Sequence, residues 1–225
     1  PFASLMGALC GDLRPAYYNY PPFDLTKHSR IAILRWLMDL EDQCFRTTTT
    51  PKQKMQFLVE KLMGDARAQV TAKLDAHAAT QAKRSGFTPS EGTGDENRTV
   101  FETPFKNRRY VLIDDDDEGR ASYVYDPPYT TIKAIVTKAI LGNSALLLLN
   151  NHLGQIKQNG KSIQAHAAYF KSVVQALRDA GGPSSDKWFA EQFLSSVDPH
   201  LLEPPTNLTV NTLAGAIKTV VAASE

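Results

Sequence analysis

Apolar residues that recur three and four positions apart constrain this chain more than any other feature of its sequence. From Ile163 to Leu177 they follow spacings of four, three, four and three, which places them on one side of an α-helix. The same period returns in several other segments, before and after this one. The sequence therefore predicts a mostly α protein with about eight helices.

Turn-forming and capping residues mark the predicted ends of these helices. Pro51 suits the first turn of a helix that Gly64 ends, and the pair Gly142-Asn143 separates two helical patterns. Ser162 is placed to cap the helix that begins at Ile163. A further helix, with Trp188 and Phe193, is expected to begin after Ser185.

The stretch from about residue 85 to 128 has a different pattern. Residues 85–97 are rich in Gly, Ser, Thr and acidic residues, which predicts a surface loop. Arg108–Ile113 and Arg120–Tyr125 are rich in β-branched and aromatic residues and are predicted to form a β-hairpin. The acidic run 114–118 between them is interpreted as a solvated turn, because consecutive carboxylates point in different directions and lack the spacing of a calcium loop.

Length and charge exclude several classes of protein. The chain has 225 residues, of which 42% are hydrophobic, so it is too apolar to be disordered and long enough for two small domains. Its 25 basic and 24 acidic residues give a net charge of +1. Dedicated nucleic-acid-binding domains concentrate positive charge, so any contact with RNA is expected to be weak or indirect.

The sequence contains no pattern typical of a catalytic, cofactor or metal site. Its two cysteines form no C-x-x-C pair, its five histidines are scattered, and no nucleophile or phosphate-binding motif occurs. We therefore expect no enzyme activity, no cofactor and no metal. The longest aliphatic run, 146–149, is far shorter than the roughly 20 residues of a membrane span, so no membrane association is expected.

Specific sequence strings add a resemblance to these patterns. The stretch LGQIKQNGKSIQAHAAYFKSVVQAL, which begins at Leu153, resembles the Gag motif of gypsy-class LTR retrotransposons (Metaviridae). In that motif a leucine and a K/R-Q pair precede a short turn, which is followed by S-V and, further on, a phenylalanine. Gln158, Ser162, Ile163 and Phe170 fall in register with it.

Other strings follow in the order of the same family. FLSSVDPHLLEP, residues 193–204, is similar to a family pattern, and RWLMDLEDQCF and FLVEKLMGDARAQV resemble its first capsid helices. The residues that carry the resemblance or the predicted core, beyond those named for the Gag motif, are Trp36, Leu62, Gly64, Ala66, Leu153, Phe193, Leu194, Pro199 and Leu201. The sequence departs from the family at Val70, where tryptophan is common, at His166, where an aromatic is usual, and at Ser196, where glycine is usual.

The resemblance implies two small helical lobes of retroviral-capsid type, residues 1–142 and 143–225, with the hairpin inserted in the N-terminal lobe. It implies a structural Gag protein that self-assembles into a cytoplasmic virus-like particle enclosing retrotransposon RNA. In such capsids N-terminal lobes form pentamers and hexamers while C-terminal lobes pair as dimers. The alternative is a domesticated capsid-derived module that binds partner peptides or carries RNA.

Trp188 is the one residue for which the sequence suggests a contact between copies. Trp188 and Phe189 are adjacent and therefore lie about 100° apart on a helix, so both cannot point to the core. Either Trp188 lies at an assembly interface or it completes the core of the second lobe. Phe170, Val174, Phe193 and Leu194 are expected in that core under both interpretations.

Overall fold

The computed structural model describes residues 16–84, 125, 127–202 and 210–224, and the backbone of three strands at 87–89, 100–102 and 109–112. The prediction of a mostly α protein is confirmed. The helices, labelled in chain order, are α1 Ala16–Asn19, α2 Ile33–Cys44, α3 Pro51–Glu60, α4 Gly64–Arg84, α5 Tyr129–Leu141, α6 Ala145–Gln155, α7 Ile163–Asp179, α8 Asp186–Ser196 and α9 Leu213–Ala223. Short 3-10 turns occupy Arg30–Ala32, Gly142–Ser144 and Pro199–Leu202.

Polar side chains cap the N-termini of several of these helices. The Thr50 hydroxyl accepts from the Gln53 N–H at 3.2 Å, and the Gln53 side chain accepts from the Thr50 N–H at 2.9 Å, which is a capping box before Pro51. Ser162 and Ser185 cap α7 and α8 in the same way, each accepting a backbone N–H three residues on. Such caps satisfy N–H groups that have no partner within the helix.

Two helix boundaries in the first half differ from the prediction. Apolar residues at spacings of three and four between Asp24 and Phe45 predict a helix over that range. The helix begins only at Ile33, because the Asp24 carboxylate closes a turn by accepting the Thr26 N–H at 2.9 Å, and the Asp24 carbonyl accepts the Lys27 N–H. Gly64 begins α4 with a φ of +49° instead of ending α3. The chain leaves α3 earlier because Leu62 forms an isolated β-bridge with Phe23.

Three short strands form an antiparallel sheet in the order β1-β3-β2. They are β1 Phe87–Pro89, β2 Val100–Glu102 and β3 Arg109–Leu112. β1 lies within the stretch predicted as a loop, and its proline is tolerated because it is on an edge strand. β3 has a neighbour on each side, so the hairpin predicted between 108–113 and 120–125 is not confirmed; residues 120–124 lie outside the described part.

The chain divides into two compact units. The first unit contains residues 1–28 and 40–140, and the second contains residues 29–39 and 141–225. The boundary between the two units, at 140/141, lies at the end of α5. Gly142, with a φ of +66°, then opens the 3-10 turn that leads into α6. The segment 29–39, which the sequence analysis assigns to the N-terminal lobe, thus groups with the C-terminal residues.

Each unit has its own apolar core. Fully or almost fully buried side chains of the first unit include Phe23, Leu40, Cys44, Leu58, Leu62, Leu74, Ile132 and Ile140. Those of the second unit include Ile33, Leu37, Leu149, Phe170, Val174, Phe189 and Phe193. Ile33 and Leu37 come from the segment 29–39, which explains why it groups with α6 to α9.

Candidate functional site

The residues of the Gag-like motif meet in the second unit, around the turn between α6 and α7. Gln158 is only 5% exposed, and it forms hydrogen bonds through its backbone and its side chain. Its backbone N–H donates to the Ser196 carbonyl at 2.9 Å, its amide nitrogen donates to the Lys161 carbonyl at 2.9 Å, and its amide oxygen accepts the Asp198 N–H at 3.1 Å. Gln158 therefore joins the turn to the end of α8.

The turn itself has the backbone conformation that its sequence favours. Asn159 and Gly160 both have positive φ, 49° and 72°, and the Lys161 N–H donates to the Gln158 carbonyl at 3.1 Å. Ser162 then caps α7 by accepting the Ala165 N–H at 3.2 Å. The turn and the cap together fix where α7 begins, and Ile163 is buried there.

Two of the departures from the family pattern contact each other. His166, 1% exposed, places Nε2 at 2.8 Å from the Ser196 hydroxyl, and that hydroxyl donates to the Phe193 carbonyl at 2.6 Å. The hydroxyl has one proton and uses it on the carbonyl, so the His166 Nε2–H is the donor in the other bond. Burial lowers the pKa of His166, Lys161 and Arg35 lower it further, and Asp198 opposes the shift. The imidazole is therefore held neutral.

Aromatic rings surround this pair. The His166 ring stacks on the Phe193 ring at 5.6 Å between centroids, and Phe170 meets Phe193 edge-on at 5.3 Å. Leu153 and Phe170 are buried with them. The remaining predicted positions lie further out: Leu194 and Leu201 are half-buried and Pro199 is exposed. Leu194 thus differs from the expected core position, since Phe193 takes the inward direction.

A second imidazole of this unit is also paired with a hydroxyl. His152 Nε2 lies 2.6 Å from the Tyr169 hydroxyl, and the Arg35 guanidinium lies 4.1 Å from the centre of the Tyr169 ring. Burial lowers the pKa of His152, and burial raises the pKa of Tyr169 while Arg35 opposes that change. The sequence does not indicate this cluster, because its members are 17 or more positions apart and follow no shared spacing.

The predicted residues Leu62 and Ala66 of the first unit are core residues, whereas Gly64 is exposed at the start of α4. Leu62, Ala66 and Val70 are fully buried, Val70 at the position where the family commonly has tryptophan. Trp36 is also buried, but it belongs to the segment that groups with the second unit. These positions support packing and offer no exposed polar chemistry.

The polar groups of the first unit form contacts between its helices. The Glu41 carboxylate accepts from Lys133 Nζ at 2.8 Å and from the Tyr129 hydroxyl at 3.2 Å. His77 Nδ1 lies 2.9 Å from the Tyr125 hydroxyl, and burial lowers the pKa of that histidine. The Glu41 contacts join α2 to α5, and the His77 contact joins α4 to the chain segment before α5.

A shallow groove of about 440 Å³ lies on the second unit between α7, α8 and the start of α9. Val174 and Leu213 line its apolar part, and Lys171 and Arg178 line its basic part. Arg178 forms an ion pair with Asp186 at 2.8 Å, and the other Asp186 oxygen accepts the Leu213 N–H at 3.1 Å. The groove could hold a short apolar segment with an acidic neighbour.

Trp188, the predicted contact residue, is half-buried at the start of α8. Its ring meets the Phe189 ring edge-on at 5.1 Å, and Phe189 is fully buried. The two side chains thus divide as helical geometry requires, one inward and one partly outward. The exposed part of the indole is available to a partner.

Two further properties concern metals and membranes. Within the described ranges, no three His, Cys, Asp or Glu side chains group as a metal site would require. The helical run Tyr129–Gln155 is long and apolar enough to cross a membrane by length and composition alone. That run includes α5, the turn at Gly142 and α6, and the core helices of a soluble protein can pass the same test.

Comparison of the chain with models of protein families, with curated proteins and with solved structures gave no match.

Proposed function

We propose that this protein is a structural Gag capsid protein that self-assembles into a virus-like particle enclosing retrotransposon RNA. The observation that carries the proposal is the meeting of the motif residues in one place. Gln158, Ser162, Ile163, Phe170 and Phe193 are scattered over 36 positions of sequence, yet they build one turn, one helix start and one aromatic cluster.

The division into two helical units supports the same proposal. A shell that closes needs each copy to make at least two different contacts, because a single two-fold contact stops at a dimer. Two compact units offer two sets of surfaces. In the proposed particle, first units form pentamers and hexamers, second units pair, and the copies gather in the cytoplasm.

The charge balance fits a shell with a weak or indirect RNA contact. A net charge of +1 over 225 residues limits the repulsion between copies at high local concentration. The same balance provides little attraction for phosphates, so RNA is held weakly or through another segment.

A second candidate function is a domesticated capsid-derived module that binds partner peptides. The groove on the second unit favours it, since an apolar part beside Lys171 and Arg178 suits a short peptide with an acidic residue. Isothermal titration with such peptides tests this candidate. Arg178→Glu should abolish the binding, while Lys138→Glu, at an exposed position of the first unit, should leave it unchanged.

Electron microscopy of the purified chain tests the capsid proposal. Samples that span salt and protein concentration should contain spherical or tubular particles. A monomer under every condition would reject self-assembly and leave the peptide-binding module.

A further inference from the structure

The outer side of α6 has an apolar surface that no other described residue of the chain covers. Ala145, Leu149 and Leu153 point inward and are buried, which turns Leu147, Asn150, Asn151 and Gly154 outward. We call these four residues, with the neighbouring Leu146, the α6 outer face. Leu147 is 63% exposed and Leu146 39%. One exposed leucine is ordinary, but an adjacent pair on one helix is an apolar patch.

This patch lies in a part of the sequence that carries no charge. Between Lys138 and Lys157 the chain contains no Asp, Glu, Lys or Arg, although 22% of its residues are charged overall. His152 is the only titratable group of α6, and its ring is bonded to Tyr169. The α6 outer face therefore consists of leucine, asparagine and glycine side chains alone.

A neutral face of this kind is complementary to itself. In a two-fold contact each residue of the patch meets the same patch of the partner, so a charged patch would bring like charges together. The α6 outer face avoids that repulsion. The amides of Asn150 and Asn151 both donate and accept hydrogen bonds, so the same two residues on two copies can bond to each other.

Gly154 provides an independent observation on the same face. Glycine within a helix is destabilising relative to alanine, so a glycine there often serves a contact that a larger side chain would block. Nothing lies within 4 Å of the position that a Cβ would take at Gly154. No contact inside the described chain therefore requires a small residue there, whereas a second helix could approach the backbone closely at this point.

We propose that two copies of this chain associate through their α6 outer faces about a two-fold axis. The inference deepens the proposed assembly function and rests on it for its role in a particle. The contact is weak by itself, because two leucines and their neighbours cover less than the roughly 800 Å² per partner of a stable interface. A lipid surface suits this face less well, because its asparagine amides would lose hydrogen bonds in hydrocarbon.

Charge substitutions at Leu147 test the proposal on the full chain. Leu147→Glu and Leu147→Lys should each weaken self-association about tenfold or more in sedimentation velocity, since each brings like charges together. An equimolar mixture of the two variants should recover association. Met63→Glu is the matched control, because Met63 is 47% exposed on the first unit and its substitution should leave association unchanged.

Three outcomes would overturn the inference. The first is a Leu147→Glu variant that associates like the parent chain with unchanged circular dichroism. The second is a mixture that does not recover association, which shows that residue 147 does not meet its own copy. The third is a parent chain that stays monomeric in buffer but floats with phosphatidylcholine vesicles in a Leu147-dependent way, which assigns the face to lipid.

Electron microscopy of the same variants separates this inference from the proposed function. Particles from Leu147→Glu equal to those of the parent chain reject the α6 contact and keep the capsid function. Leu147-dependent dimers without particles under any condition keep the contact and reject the capsid function.

Discussion

The bond between His166 and Ser196 joins two buried polar side chains inside an otherwise apolar core. The family pattern has an aromatic ring at the first position and glycine at the second, and here an imidazole and a hydroxyl are bonded at 2.8 Å. The Ser196 hydroxyl also donates to the Phe193 carbonyl, whereas without Ser196 the buried His166 N–H would lose this partner, which costs about 1–3 kcal/mol. Ser196 is therefore the residue that makes an imidazole acceptable at position 166.

One buried and two half-buried histidines predict a loss of stability in weak acid. Burial lowers the pKa of His77, His152 and His166 in the folded protein, while the unfolded chain keeps values near 6.5. Below about pH 6.5 the unfolded chain therefore binds more protons, so the free energy of unfolding falls as pH falls. Urea unfolding between pH 7.5 and 5.5 should show this decline.

His166→Phe should make that decline shallower, because it removes one of the three proton-linked groups and supplies an aromatic ring at the same place. His77 and His152 remain, so part of the pH dependence persists. An unfolding free energy that varies with pH as steeply in the variant as in the parent chain would contradict the role given to His166.

Gln158 gives a second prediction at the residue scale. Gln158→Ala should lower the free energy of unfolding by about 1–3 kcal/mol, because it leaves the Lys161 carbonyl and the Asp198 N–H without their side-chain partner. Gln155→Ala, an exposed position three residues earlier, is the control and should change stability by no more than about 0.5 kcal/mol. Equal effects for the two variants in urea unfolding would argue against the bridging role of Gln158.

Periodicity predicted which side chains are buried better than it predicted which polar groups meet. Phe170 and Phe193 follow the helical period and are buried, because an inward helix face needs only local spacing. The partners of His166 and His152 lie 30 and 17 positions away, and no spacing rule connects them. The resemblance pointed to the residues of the candidate site. The hydrogen bonds among them could be identified only from the folded structure.

At the scale of elements, two glycines predict opposite effects of the same substitution. A Cβ at Gly182, just after α7, would lie 2.7 Å from Leu177 Cγ and 2.8 Å from the Leu177 carbonyl oxygen. Gly182→Ala should therefore destabilise the protein by about 1–3 kcal/mol. Gly154→Ala, in open space inside α6, should stabilise it by about 0.5–1 kcal/mol. Thermal unfolding compares them, and a stabilising Gly182→Ala would contradict the assigned packing.

The predicted helix boundaries agree with the structure where a local cap sets the boundary. They differ from it where a contact with a distant residue sets the boundary. Thr50 with Gln53 and Ser162 with Ala165 mark helix starts from local chemistry, as their residue types predict. The end of α3 depends instead on Leu62, which pairs with Phe23 some forty positions earlier. The central position of β3 in the sheet likewise depends on its pairing with β1 and β2. No turn-forming sequence next to β3 predicts that pairing.

At the scale of the whole molecule, the half-buried Trp188 predicts that one substitution can weaken self-association without unfolding the protein. Trp188→Ala should reduce self-association in sedimentation velocity while helical content stays near that of the parent chain, because Phe189 keeps the core contact. Lys187→Ala is a neighbouring exposed control. If Trp188→Ala instead lost its cooperative thermal transition, the indole would be a core element and not a contact.

The composition of the second unit gives another prediction. A fragment of residues 141–225 should lack a cooperative thermal transition, because Ile33, Trp36 and Leu37 are buried in this unit but come from residues 29–39. A fragment with residues 29–44 attached by a flexible linker should regain that transition. Cooperative unfolding of residues 141–225 alone would show that the early segment is dispensable.

This arrangement has a consequence for synthesis on the ribosome. Residues 29–39 emerge about a hundred residues before the first of their partners, at 141. At a synthesis rate of about 5–20 residues per second, their apolar side chains remain without core partners for on the order of 5–20 seconds. The second unit is then completed only after α9 has emerged, so a nascent chain cannot display it to other copies before that point. The order of synthesis thereby delays association through the second unit until α9 has left the ribosome.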